Sequence, residues 1–224
     1  MKYSPSALNM YYQCPYKFKL AYIDGVEPLP PPEKMVIGKT IHEVIAKYYE
    51  LIPVTITPKE IPLFLSQALK EVNVSADSLN YLLRGFRRFE ERRLTWNLNP
   101  KPVAIEKYFE RGIFHGVLDV IFKRTDQKLV GVDWKSGRVS MDNVSHIIQG
   151  FVYVYIANLD EMIFVSLVSG SENRLPAKEL LRFKSVLREI IGGIKAKNFE
   201  KKPGEKCKTC EYSLACNLRE EDLE

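Results

Sequence analysis

Gly116-Val117-Leu118-Asp119-Val120-Ile121, followed shortly by Gly131-Val132-Asp133-Trp134-Lys135-Ser136-Gly137, decides how this chain is read. The first run is apolar and rich in β-branched residues, as strands are, and the second ends an apolar strand. Each carries an acid where an ordinary buried strand would carry one more apolar residue. Alternation with period two puts Asp133 and Lys135 on the same face of their strand. The turn Thr125-Asp126-Gln127-Lys128 pairs the two runs, which brings Asp119 alongside. Two carboxylates and an ammonium gathered in apolar surroundings are costly unless something pairs them. A hard divalent cation between the carboxylates would remove their repulsion. The bland alternative is a buried Asp–Lys ion pair at a strand end.

Working outward, Val103 to Glu110, Ile113 to Lys123 and Lys128 to Trp134 read as three strands of a meander. Asp142 to Leu159 reads as a helix, Met162 to Val168 as a buried strand, and Ala177 to Lys197 as one long final helix. Upstream, Ser4-Pro5 supplies a cap and a first-turn proline for a helix over Ser6 to Ile23, broken at Pro15. Pro28 to Pro32 is an extended connector. Met35 to Leu51 has helical periodicity, Thr57-Pro58 opens a helix to Val72, and Ser75 or Asp77 opens another to Trp96. The order predicts a mixed α/β fold. One domain over 1–224 is expected, with an N-terminal segment (1–34), a helical region (35–100), a core (101–170) and a C-terminal helix with a cysteine-rich segment (171–224).

The 224 residues are 46% hydrophobic, enough for a sizeable core, which excludes low-complexity disorder. No apolar run approaches the roughly 18–20 residues of a membrane helix, and Met1 to Pro5 has no secretory apolar region. A cytoplasmic protein with no membrane partner is the expectation. The net charge is +5, from 33 basic and 28 acidic residues. Lysines crowd the stretch Lys195 to Lys208, arginines the stretch Arg84 to Arg93, and the tail Glu220 to Glu224 is acidic. That pattern suits a polyanionic partner. On the arginine-bearing helix, Phe86 and Phe89 interleave with the charges. They read either as the apolar face of an amphipathic helix or as a stacking platform for single-stranded nucleic acid.

Cys207, Cys210 and Cys216 lie close together, and Cys14 is the one further cysteine. An intracellular chain makes disulfides unsuitable, so the set reads as metal or cluster ligands, zinc and iron–sulfur both being open. Gly38-Lys39-Thr40 imitates the end of a phosphate-binding loop. Position 33 is Glu33, where that loop needs glycine, so nucleotide binding is not expected.

Taken in order, Gly38-Lys39-Thr40-Ile41-His42, Gly116 to Asp119, Asp133-Trp134-Lys135 and Gln149-Gly150-Phe151-Val152-Tyr153 resemble the motif series of RecB-like nucleases of the PD-(D/E)XK superfamily. Tyr3 to Leu8, Cys14 to Phe18 and the three late cysteines make the chain similar to the four-cysteine iron–sulfur branch, which includes CRISPR-associated RecB-like exonucleases and the AddB nuclease domain. The resemblance implies a restriction-endonuclease-like core and metal-dependent hydrolysis of DNA. On it, His42, Asp119, Asp133 and the Trp134 carbonyl would hold Mn²⁺ or Mg²⁺, and Lys135 would act with the acids in catalysis. Gln149 and Tyr153 would contact or support the substrate. Cys14, Cys207, Cys210 and Cys216 would hold a [4Fe–4S] cluster, with [2Fe–2S] or Zn²⁺ as alternatives. Glu106 falls near a position where the family often has an acid, and reads as a supporting group or a surface residue. His115 and His146 read as ordinary.

The resemblance further implies single-stranded DNA as partner, exonuclease action, and a role in DNA repair, recombination or CRISPR adaptation beside a helicase or adaptation protein. Two rivals stand against it. One is a non-catalytic nucleic-acid-binding module, the other a zinc-stapled scaffold whose acids are structural.

Overall fold

A computed structural model describes residues 2–31, 33–140 and 143–216. The acidic run Glu220 to Glu224 and the expected helix start at Asp142 lie outside the described residues. The elements are α1 (Pro5–Gln13), α2 (Pro15–Tyr22), α3 (Glu33–Leu51), α4 (Ile61–Val72), α5 (Ala76–Arg93), β1 (Ala104–Arg111), β2 (Phe114–Lys123), β3 (Leu129–Lys135), α6 (Val144–Ala157), β4 (Glu161–Ser166), β5 (Glu172–Pro176), α7 (Ala177–Leu180), α8 (Lys184–Lys195) and α9 (Ser213–Cys216). Ser4 caps α1 by accepting from the Ala7 N–H, and Cys14 separates α1 from α2, with Pro15 opening the second.

The sheet runs β1-β2-β3-β4-β5, antiparallel except between β3 and β4. Parallel neighbours need a crossover, and α6 supplies it. The result is a mixed α/β fold of the restriction-endonuclease-like kind, with a five-stranded central sheet. Alternating side chains fill two cores. Leu118, Ile121, Met162 and Phe164 pack with α1, α6 and α8. Val120, Val132, Trp134 and Val165 pack with α3, α4 and α5. Helices therefore cover both faces. On the second side α5 comes very close to the chain after β4, since a Cβ on Gly85 would lie 1.8 Å from the Leu167 carbonyl oxygen.

Two expectations are corrected. The stretch read as one helix from Ala177 to Lys197 is α7, a 3₁₀ turn over Leu181–Phe183, and α8. The strand β5 was not expected at all. Of its five residues only Asn173 and Leu175 are buried, so it carries little apolar alternation. Pairing with β4 creates it. Phe86 and Phe89 are fully buried, which makes them core residues and removes the stacking platform. Gly38 to Thr40 lie inside α3, not in a loop after a strand. Among the described residues no helix is long and apolar enough to cross a membrane.

Candidate active site

The site forms where the sheet opens. In β1 and β2 the ladder pairs Ile105 with Val120 and Lys107 with Leu118, skipping Glu106 and Asp119 between them. The β2–β3 ladder reaches only to Val120 and Val132. Beyond that point the Trp134 N–H donates to Asp119 Oδ2 at 2.8 Å, a side chain standing in for a backbone partner. Strict alternation along β2 also breaks here. Leu118 and Val120 have the same parity yet face different cores. Glu106 takes a left-handed backbone with φ of 42°, a costly conformation for a side chain that bears a Cβ. The irregularity gathers two acids from adjacent strands.

His42 reaches them from α3, with Nδ1 3.4 Å from Asp119 Oδ2. Among the described residues, His42, Glu106 and Asp119 are the group whose ligand atoms all lie within 4.8 Å of one another. Asp133 is buried beside them. Its Oδ1 accepts from Gln149 Nε2 at 2.7 Å, and its Oδ2 lies 2.6 Å from Lys135 Nζ, a close ion contact without an aligned hydrogen bond. Lys135 donates to Gln149 Oε1 at 2.7 Å, and Gln149 Nε2 also donates to the Tyr153 hydroxyl at 3.1 Å. Gly116 makes room for that tyrosine, since a Cβ there would lie 2.9 Å from the Tyr153 ring. The Trp134 ring is buried in the second core, stacked near Tyr49.

The electrostatics are those of a crowded acidic site. Burial works against charge on His42, but the hydrogen bond and charge of Asp119, with Asp133 and Glu106 behind, push its pKa up to about 9. Glu106 stays partly open to solvent. Loss of hydration, then the charge of Asp119, push it up to about 7 against the pull of His42. Burial raises Asp133, opposed by Lys135 and reinforced by Asp119. Burial likewise raises the Tyr153 hydroxyl, helped by Asp133. His42, Glu106, Trp134 and Lys135 line a cleft of about 820 Å³ with Lys39 and Lys47.

Asp119, Asp133, Lys135, Gln149 and Tyr153 lie at this opening with His42 from α3, and Glu106 stands closer to the centre than sequence reasoning placed it. The usable signal was its register opposite Asp119. The left-handed turn that aims it has none. Cys14, Cys207, Cys210 and Cys216 are free thiols lining one cavity of about 450 Å³, at which the α1–α2 corner meets the segment before α9. No three of the sulfurs lie within 4.8 Å of one another. Burial raises the Cys216 thiol. His115 stays near the surface against Tyr108, whereas His146 is buried against Phe164.

Sequence comparison matches residues 2–217 to the PD-(D/E)XK nuclease superfamily. No curated protein matches the chain significantly. A solved structure titled "Crystal structure of SSO0001" aligns with 82% of this chain and 96% of its own, at 14% identity and a TM-score of 0.40. With a match spanning nearly its whole length, the chain belongs to the PD-(D/E)XK nuclease superfamily, whose members use divalent metals to cut nucleic acid.

Proposed function

We propose that this nuclease is a deoxyribonuclease of the RecB-like, four-cysteine iron–sulfur branch, hydrolysing single-stranded DNA from an end. The observation that carries the reading is the convergence of His42, Glu106 and Asp119 beside the Asp133–Lys135 pair. Three carboxylates face one imidazole and one ammonium, a surplus of negative charge that suits a divalent cation. His42, Asp119, Asp133 and the Trp134 carbonyl are assigned as its ligands, with Glu106 added by proximity. The mixed nitrogen and oxygen set fits Mn²⁺ or Mg²⁺. Such a cation, when bound, polarises a phosphate and acidifies water.

The chain's own groups do the rest. Lys135, fixed between Asp133 and Gln149, offers an ammonium to the charge that develops on the phosphate and orients the attacking water. Gln149 and Tyr153 hold Asp133 and Lys135 in place, the supporting role that outer partners play around ligands. His42 releases its proton in order to ligate.

The four cysteines line one cavity, and the resemblance to the four-cysteine branch favours a [4Fe–4S] cluster there, with [2Fe–2S] or Zn²⁺ as alternatives. Its role is structural, clasping residue 14 to residues 207–216. Four free thiols suit a reducing cytoplasm. DNA repair, recombination or CRISPR adaptation, beside a helicase or adaptation protein, is the setting that this branch implies.

The test is cleavage of end-labelled single-stranded DNA with Mn²⁺, using 5′-blocked, 3′-blocked and circular substrates beside Asp119→Ala and Asp133→Ala. Metal-dependent cutting of free ends that vanishes in both variants supports the reading, and the blocked ends give its direction. Cutting of circles at the linear rate would overturn the exonuclease assignment. Activity retained in both variants would overturn the site.

A further inference from the structure

Lys135 lines a second cavity, of about 410 Å³, between α1 and the first turn of α6. Asn9, Gln13, Lys17, His146 and Gln149 share its wall. The size falls within the roughly 300–1,000 Å³ of small-ligand pockets. Asn9 Nδ2 donates to the Ser145 carbonyl at 3.1 Å, which fixes the amide, and its Oδ1 is then buried with no donor. An acceptor left in that state carries a desolvation cost that an incoming N–H would relieve. His146 is 7% exposed and lies flat on Phe164, with ring centroids 4.9 Å apart and planes 16° from parallel. Lys17 pairs with Glu211 at 2.8 Å and Lys135 with Asp133 at 2.6 Å, so the lysines of this wall are balanced within the chain, and the N-terminal turn of α6 adds a partial positive charge.

We infer that this cavity is a pocket for the unpaired base next to the phosphate engaged by Lys135. The inference rests on the nuclease reading and deepens it. Every DNA base carries an N–H donor on its pairing edge, and in a duplex that edge is taken by the complementary strand. A flipped or single-stranded base offers it freely. One buried acceptor therefore selects for an unpaired base without selecting a sequence. Lys135 takes the adjoining phosphate, a contact likewise independent of sequence. Gln149 belongs both to this wall and to the Asp133–Lys135 network, which places the pocket next to the groups that engage the phosphate.

The experiment is a scan of short single-stranded oligonucleotides, each with one abasic nucleotide at a successive position, cut by the full chain with Mn²⁺. KM should rise about tenfold when the missing base adjoins the cleaved bond, the scale of one lost base contact, with kcat little changed. Asn9→Leu should raise KM for the intact oligonucleotide by the same factor and abolish the position effect. Equal KM across the series in the wild type overturns the pocket, as does an Asn9→Leu protein that keeps the full effect. If the wild type cuts no oligonucleotide, the nuclease reading fails. The pocket is then judged by 2-aminopurine placed along the bound strand. Quenching at one position, lost in Asn9→Leu, supports it, and uniform fluorescence overturns it.

Discussion

Two charge clusters meet α3, one at His42 and one at Tyr48 and Tyr49, and they are built on opposite plans. In the second core, Glu90 and Arg93 on α5 are fully buried as an ion pair. Glu90 also accepts from the hydroxyls of Tyr48 at 3.2 Å and Tyr49 at 2.5 Å, and Arg93 lies over the Phe122 ring at 4.3 Å. One negative charge is matched by one positive charge, with neutral donors on Glu90 and aromatic faces around Arg93, whose Nη1 alone lacks an acceptor. At the sheet opening, three carboxylates crowd one lysine and one histidine, and Asp133 Oδ2 has no aligned donor. A structural charge cluster is balanced within the chain. A site meant for a ligand leaves the balance to whatever binds.

The largest expected effect breaks the open cluster. Asp119→Asn keeps an acceptor for the Trp134 N–H but removes a ligand charge. Cleavage of labelled DNA should fall by about 10³-fold or more, a loss of several kcal/mol in transition-state stabilisation. Its metal-free melting temperature should equal or exceed that of the wild type, because repulsion is relieved.

Breaking the closed cluster gives the converse. Glu90→Gln strands a buried guanidinium and should cost about 3–5 kcal/mol in urea unfolding. Glu90→Leu combined with Arg93→Leu should recover much of that loss. A double variant no better than the single would show that the pair's net charge is not what matters.

A smaller effect sharpens the contrast through pH. In the metal-free protein, His42 is raised from 6.5 to about 9 and Glu106 from 4.5 to about 7. Both make the folded state hold more protons than the unfolded one. Stability is therefore full below the unfolded values and is lost as pH rises, first through the Glu106 window and then through that of His42. A cation competes with those same protons, so the melting shift produced by Mn²⁺ should grow from pH 5 to pH 8. A shift that is flat with pH would remove these groups from the ligand set.

The smallest effect is a control. Arg87 and Glu91 form an exposed i,i+4 pair at 2.8 Å on α5, and Arg87→Ala should leave both melting and cleavage unchanged within error.

The sequence made the meander, the helical cap and the convergence of Asp119, Asp133 and Lys135 readable, because strand alternation and a short turn are local properties. It hid what depends on distant partners. Glu90 and Arg93 look like surface charges on a basic helix, and only the tyrosines of α3 turn them inward. β5 exists because β4 offers it an edge. Asn9 and His146 meet only after α1 docks on α6, and a buried histidine against phenylalanine has no sequence signature of its own. The cysteine set was legible as a group because its members are rare, and the four line one cavity.

The left-handed residue at Glu106 has one more consequence. β1 is an edge strand with mostly exposed residues, and such an edge is a template on which another chain can add a strand and begin to aggregate. A kink at its third residue, followed by Lys107, Glu110 and Arg111, spoils the straight row of amides and carbonyls that a foreign strand needs. The distortion that aims a carboxylate at His42 also keeps the open side of the sheet from recruiting its neighbours.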